Sequence, residues 1–372
     1  MKKIAFIVKT SSLKYDDRIR KEAITLSKNS EVKIFALLAN NKEDEGVTSY
    51  GIPYKSFGLK TRQKLPPAKY TFLKTIDFYL TVKKHLKIYD IIWAHNVETF
   101  LFPALLRNRK IVWDLHEIPQ QLENNIVKKL FRFIEKRCAY IIHANENRIE
   151  YLIRKKVISD PKKHLVMRNF PDMQFEQSVL KDERYDEFRK WLGPSRFVYL
   201  QGLQGKDRFP RETIEAIMKT DNLKAIVVGS FDAQTKVGLF QSYGDLLYRK
   251  VFFRGMVDQL MTPSYIKESL FSIVLYDATN PNNRYCEPNR MYQSIIFEKP
   301  VIVGCNEPMK ELVTKYGFGV SLSGDGRNTI EIVDAINKVL DKYEIYVDNI
   351  SKYKNKITWA GQEKVLTSIV SE

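Results

Sequence analysis

The chain has 372 residues, 44 % apolar and 28 % charged, a globular composition that excludes disorder, collagen-like repeats and coiled coil as the dominant state. At one domain per ~150 residues this predicts two domains, each able to bury a core without disulfide or metal staples. The net charge of +17 is uneven: residues 1–180 carry 34 basic and 19 acidic side chains, residues 181–372 carry 27 and 25. Such asymmetry points to an anionic partner for the first half, whether membrane surface, nucleic acid or phosphorylated substrate; solubility alone is the plainer reading.

The run Ile4 to Val8 is too short for a signal-peptide core or a membrane span, and no stretch of eighteen apolar residues occurs. A cytoplasmic protein with at most peripheral membrane contact is expected. Cys138, Cys286 and Cys305 are far apart, and His85, His95, His116, His143 and His164 form no His-x-x-x-His pair. Neither a disulfide framework nor a structural metal is expected.

Apolar runs predict strands at 4–8, 32–38, 90–94, 110–113, 140–144 and 165–167. Helical spacing predicts helices at 17–28, 77–88, 97–107, 123–138 and 146–155. This alternation predicts a parallel α/β sheet covered on both faces. Within it, segment 46–76 holds six basic residues, among them Lys60, Arg62 and Lys64, no acid, and interleaved aromatics around Pro66-Pro67. Residues 124–137 form a basic amphipathic helix with Lys128, Lys129, Arg132 and Lys136, whose Leu130, Phe131 and Ile134 face elsewhere. Alone it reads as a surface helix with its apolar stripe in the core; with 46–76 and the charge excess, membrane contact is favoured. Trp113-Asp114-Leu115-His116-Glu117 ends a strand, where a His–Glu pair suits binding or polarising a sugar hydroxyl, though a lone histidine there is as often structural.

The alternation breaks at 171–195, which is polar and punctuated by Pro171, Gly193 and Pro194. A second series follows, with strands at 197–200, 225–228, 251–253, 271–276 and 300–303 and helices at 211–220, 258–268, 289–298 and 307–315. Between a strand and a helix, Gly202, Gly205, Lys206 and Arg208 combine close backbone approach with positive charge, a layout suited to a diphosphate but short of any nucleotide-loop signature. The polar loop from Asn280 runs into a helix opening near Pro288, whose free amides, with Asn289 and Arg290, favour an anion.

The segments Asp17–Ala23, Tyr89–Asn96, Trp113–Glu117, Met167–Asp172, Gly202–Arg208, Val251–Gly255, Pro288–Gln293 through Glu298–Ile302, and Trp359–Glu363 follow in order along nearly the whole chain. On these segments the chain resembles a retaining nucleotide-sugar glycosyltransferase of the GT-B fold, in the group that includes glycogen synthase. It implies two Rossmann-like parallel-sheet domains facing a central cleft. They are an acceptor-binding domain at 1–172, a linker at 173–195 and a nucleotide-sugar domain at 196–353, with a helix at about 354–372 packing back on the first. By the same resemblance, Lys206, Arg208, Asn289 and Arg290 meet the donor diphosphate, with Gly202 and Gly205 admitting it. His116 and Glu117 are the catalytic candidates, and Glu287 and Gln293 reach the donor sugar or ribose. The patch Lys60, Arg62, Lys64, Lys128, Lys129 and Arg132 meets acceptor or membrane. Where many members carry two glutamates, this chain has Tyr285 and Gln293, with Glu287 close by.

The implied activity transfers a sugar from a nucleoside diphosphate sugar, a UDP-sugar first, to a hydroxyl of a lipid-linked or polysaccharide acceptor. Anomeric retention is implied, with no metal or other cofactor, in bacterial surface-glycan synthesis such as capsule or lipopolysaccharide, on the inner face of the membrane. Competing readings are a nucleic-acid-binding or nucleic-acid-modifying protein, a sugar-nucleotide epimerase of the same fold, and a catalytically dead scaffold; nucleic acid is the less favoured partner.

Overall fold

The alternating runs fold, in a computed structural model that describes residues 1–371 apart from 67, 68 and 204, into two α/β units. Pro67 of the basic segment and Gln204 of the glycine-rich segment lie outside the described residues. One unit comprises Met1–Arg168 and the terminal segment from Gln362, the other Asn169–Gly361.

The first unit carries β1 (Lys2–Thr10), β2 (Ser30–Leu38), β3 (Asp44–Val47), β4 (Pro53–Ser56), β5 (Ile91–His95), β6 (Lys110–Leu115), β7 (Tyr140–His143) and β8 (His164–Val166), in the order β3-β4-β2-β1-β5-β6-β7-β8. All pairs are parallel except β3–β4. The continuous burial of Ile4–Val8 and Ile91–His95 follows from helices covering both faces. Strand order reverses between β1 and β5, and a crevice outside the carboxyl ends of such neighbours is where open α/β sheets take ligands.

The second unit carries β9 (Arg196–Gln201), β10 (Leu223–Val228), β11 (Val251–Gly255), β12 (Ser272–Val274), β13 (Val301–Val303) and β14 (Gly319–Ser321), in the order β11-β10-β9-β12-β13-β14, all parallel. Alternate residues of β9 divide between two cores: Val198 and Leu200 pack with Ile214, Ile217 and Ile336, while Phe197 and Tyr199 pack with Phe188, Tyr265 and Ile226. This is the period-two alternation of a strand buried on both sides. Its order reverses between β9 and β12.

Several expectations change. Residues 173–195 are not a bare linker: helices Met173–Glu176 and Tyr185–Leu192 bury Phe175, Tyr185, Phe188 and Leu192 in the second core, so polar composition concealed an apolar stripe. The division falls at Arg168/Asn169, and of the last segment only residues from Gln362 belong with the first unit. Part of the 46–76 segment is the β3–β4 ribbon, where Lys55 meets Glu45 at 3.4 Å. The helix expected at 77–88 runs Thr71–Val82 and tightens to a 3-10 turn over Lys83–Ile88; exposed Phe72 and Leu73 disguised its start.

A buried polar chain crosses the first unit. His143 Nε2 lies 2.7 Å from His164 Nδ1, and His164 Nε2 lies 3.0 Å from Glu135 Oε1. A carboxylate only accepts, so neutral His164 carries its proton on Nε2 and takes one from His143 Nε2. Glu135 also accepts from the amides of Ser159 and Asp160.

Candidate functional site

In the first unit, the helix Asp17–Ser27 buries Asp17, Arg18, Arg20, Lys21 and Glu22. Buried charges persist only when paired. Here Asp17 pairs with Arg20 and Lys21, each at 2.8 Å. Arg18 donates to Asp114 through Nε at 2.8 Å and Nη2 at 2.6 Å, and its Nη1 donates to the Met167 carbonyl at 2.9 Å. Asp114, near the end of β6, is also 2.9 Å from His116 Nε2 and 3.4 Å from His95 Nδ1. Burial works to raise the Asp114 carboxyl, but Arg18 and the two histidines outweigh it and hold it well below the usual carboxylate range. Burial, with Asp114 beside it, pushes Glu22 well above that range, and burial pulls His95 down.

A carboxylate only accepts, so His116 donates Nε2–H to Asp114, and Nδ1 is the ring nitrogen this contact leaves over. Its ring is 18 % exposed, its carbonyl accepts from Arg148 Nη1, and the neighbouring Glu117 is exposed. The ring is thus oriented from behind and open on one side, the arrangement a proton-handling histidine needs.

Glu22, His95, Asp114 and His116 present ligand atoms within 4.8 Å of one another. Arg18 donates to both Asp114 oxygens, so a guanidinium already stands against this carboxylate.

In the second unit, β9 ends in a turn at Gly202, whose φ of +65° suits glycine; an added Cβ there would sit 2.9 Å from Arg208 Nη1. Arg208 Nη1 donates to the Gly202 carbonyl at 2.5 Å. Arg290, in the first turn of helix Asn289–Ile296, donates Nη1 to the Gln201 carbonyl and Nη2 to the Leu275 carbonyl at 3.3 Å. One guanidinium therefore bridges the carboxyl ends of the two strands between which the sheet order reverses. Both guanidinium groups also lie over the Tyr276 ring, at 5.2 Å for Arg208 and 4.7 Å for Arg290. Among the described residues neither pairs with a carboxylate, and burial followed by its arginine neighbour lowers the Arg290 pKa.

The other residues expected to contact the donor belong to the same unit. Lys206 is exposed on the 3-10 turn Lys206–Arg208, and Gly205 precedes it where a Cβ would strike Asp207 Oδ1 at 2.1 Å. Asn289 is half-buried behind Pro288, which stands at the N-cap rather than inside the helix. Gln293 is buried with Oε1 unpartnered among the described residues. Glu287 accepts from the Tyr292 hydroxyl at 2.7 Å.

The basic patch is not one cluster. Lys60 and Lys64 are exposed on helix Lys60–Lys64, but Arg62 is half-buried and donates to the Leu38 carbonyl at 2.6 Å. Helix Asn125–Arg137 buries Phe131 and Ile134 as expected of a core stripe. Lys129 is exposed and Lys128 half-buried. Arg132 is spent on the Lys156 carbonyl. Leu130, expected to turn away with Phe131, is instead exposed with Ile126 and Phe133, at 39 %, 75 % and 45 %.

Sequence reasoning missed Arg18, Asp114 and His95 as one constellation, and Tyr276 as the ring beneath two arginines. The charge density of Asp17–Glu22 was the available signal: five ionisable residues in six on a helix that must bury a face.

No family model matches the chain, and no curated protein matches it. Solved structures do. Sucrose-phosphate synthase (tll1590) from Thermosynechococcus elongatus superposes with a TM-score of 0.78 at 14 % identity, over 100 % of this chain and 98 % of that one. Anabaena Alr3699/HepE in complex with UDP-glucose gives 0.74 at 16 % identity, over 100 % of both chains. The alpha,alpha-trehalose 6-phosphate synthase of Burkholderia multivorans gives 0.75 at 10 % identity, over 100 % and 98 %. These neighbours are GT-B glycosyltransferases, and the chain has their fold.

Proposed function

We propose that this GT-B chain is a glycosyltransferase that moves a sugar from a nucleoside diphosphate sugar to an acceptor hydroxyl. The observation that carries this is the pair Arg208 and Arg290. Two guanidinium groups are gathered at the strand-order reversal of the second sheet, tied to backbone carbonyls and to one aromatic face, with no carboxylate among the described residues paired to them. Gathering like charges in a partly desolvated place is unfavourable unless an anion completes it. A diphosphate leaving group supplies that anion, and its charge grows during transfer, so these groups act most strongly where the barrier lies. Lys206 and the first amides of helix Asn289–Ile296 add to the same charge. Gln293, with a buried oxygen to satisfy, and Glu287 serve ribose and sugar hydroxyls.

A UDP-sugar is the preferred donor, supported by the UDP-glucose complex of the HepE neighbour. In the first unit, His116 manages the proton, with its orientation set by Asp114. The acceptor is a lipid-linked or polysaccharide glycan, transfer proceeds with retention, and the setting is bacterial surface-glycan synthesis at the inner face of the membrane. The unbalanced charge of residues 1–180 supports an anionic partner there, and no helix among the described residues is long and apolar enough to cross a membrane.

Calorimetric titration of the full chain with UDP tests the donor assignment. Binding in the micromolar range, weakened at least about tenfold by Arg290→Met, is the expected result. Absence of binding of UDP, GDP and their sugars at about 10 mM overturns it.

A further inference from the structure

The carboxyl rim of β2, β1 and β5 holds a second cationic site, wholly within the first unit. A cavity of about 70 Å³ is lined by Lys9, Arg62, Lys74, Glu98, Thr71 and Thr75, over a floor of Leu37 and Phe78. Lys9 comes from the end of β1 and Leu37 from the end of β2, and Glu98 follows β5, so the cavity sits at this sheet's own reversal of strand order. Lys74 is buried and reaches the Pro66 carbonyl at 2.5 Å. Arg62 spends Nη1 on the Leu38 carbonyl at 2.6 Å, and burial lowers its pKa. Lys9 meets Glu98 at 3.3 Å. Among the described lining residues, three cations thus accompany one carboxylate around a space of roughly one tetrahedral oxyanion. The helix Thr71–Val82 opens on the same rim with no side chain capping its first amides.

We propose that this cavity binds a phosphoryl group. A residual charge of two matches a phosphate dianion, and a guanidinium with two ammonium groups offers the donors its oxygens require. Thr71 and Thr75 also line it, the Thr75 hydroxyl donating to the Thr71 carbonyl at 3.0 Å. The apolar floor keeps water out from below and strengthens each charged contact. If the transferase reading above holds, the phosphoryl group is the acceptor's. The acceptor is then a phosphorylated glycosyl compound, either a free sugar phosphate or the phosphate of a polyprenyl-linked sugar. Only the naming of the anion as the acceptor's rests on that reading; the cavity stands without it.

The probe is inorganic phosphate, titrated into the full chain with and without UDP. Lys9→Ala and Arg62→Gln are each expected to weaken phosphate binding about tenfold while leaving UDP affinity unchanged, with circular dichroism verifying the fold. Glu98→Gln, which removes the single opposing charge, is expected to tighten phosphate several-fold, a gain no merely structural role produces. Two further arms separate the sources: glucose 6-phosphate in solution, and phosphatidylcholine vesicles doped with a polyprenyl phosphate. Capture of either, lost in Lys9→Ala, supports the proposal and names the source. Failure of the wild type to bind phosphate at about 10 mM, or equal binding by the Lys9→Ala/Arg62→Gln double variant, overturns it. If phosphate binds but no nucleotide does, the donor reading fails and the cavity remains.

Discussion

Asp114 Oδ2 and His116 Nε2 lie 2.9 Å apart, and the same carboxylate is gripped from its other side by Arg18. The imidazole is therefore oriented by a group that is itself immobilised, so two substitutions at adjacent points in this chain of contacts should fail differently.

His116→Gln removes the ring proposed to handle the proton, at a position only 18 % exposed. Transfer is expected to fall about 100-fold or more, with thermal stability close to wild type. Asp114→Asn takes away the carboxylate that accepts from two Arg18 N–H groups and leaves Glu22, at 2.9 Å, as the remaining carboxylate beside that buried guanidinium, so it should lower the unfolding midpoint as well as activity. Wild-type turnover by His116→Gln would remove this histidine from the mechanism.

Gly202 should not tolerate even one methyl group. Its left-handed backbone costs an L-residue about 1–2 kcal/mol, and the Cβ would press on Arg208 at 2.9 Å. Gly202→Ala is expected to lower stability modestly and UDP affinity markedly, because the arginine must leave its carbonyl. Unchanged UDP affinity by calorimetry contradicts that coupling.

Acid should destabilise the first unit before carboxylates titrate. Burial, then His164 and Arg148, hold His143 well below the ordinary histidine value, and burial lowers His164. A folded pKa below the unfolded one gives stability that is complete above about pH 6.5 and is lost as pH falls, by up to about 1.4 kcal/mol per pH unit for each proton. Glu22, raised by burial, works in the opposite direction, so the difference between wild type and His143→Gln isolates the histidine. Urea unfolding between pH 7.5 and 5 should show a shallower acid loss in the variant; parallel curves sink the assignment.

If helix Asn125–Arg137 meets an anionic bilayer, Ile126, Leu130 and Phe133 supply the apolar contact and Lys129 the charge. Co-sedimentation with vesicles rich in phosphatidylglycerol should be salt-sensitive and weakened by Lys129→Glu and by Phe133→Ser. Equal sedimentation with neutral vesicles would assign the helix elsewhere.

The fold was largely legible because parallel sheets bury both faces. Ile4–Val8, Ile91–Ile92 and Ala225–Val228 are apolar runs that need no knowledge of their neighbours. The helices Met173–Glu176 and Tyr185–Leu192 were hidden because their charged outer faces dominate a short stretch whose apolar stripe is only a few residues wide. Single motifs of the candidate donor site were visible, since Gly202, Arg208 and Arg290 carry unusual chemistry for loop positions. The bridge from Arg290 to both Gln201 and Leu275 was not, because it depends on strand order. For the same reason Arg18 read as part of a helix pattern: its partner, Asp114, lies 96 positions away.

The terminal helix Trp359–Ser371 closes the first unit: Leu366 and Ile369 are buried, Gln362 accepts from the Arg168 amide at 2.8 Å, and Glu363 pairs with Lys28 at 2.9 Å. Arg168 and Gln362 are 194 positions apart, so vectorial synthesis delivers the first sheet long before the helix that completes it. Until then the ribosome-bound first unit presents an uncovered apolar strip and an unmet Lys28, the kind of surface that chaperones and proteases survey. A prematurely terminated product lacking this helix keeps that strip open, which makes the first unit a reporter of whether the rest of the chain was made.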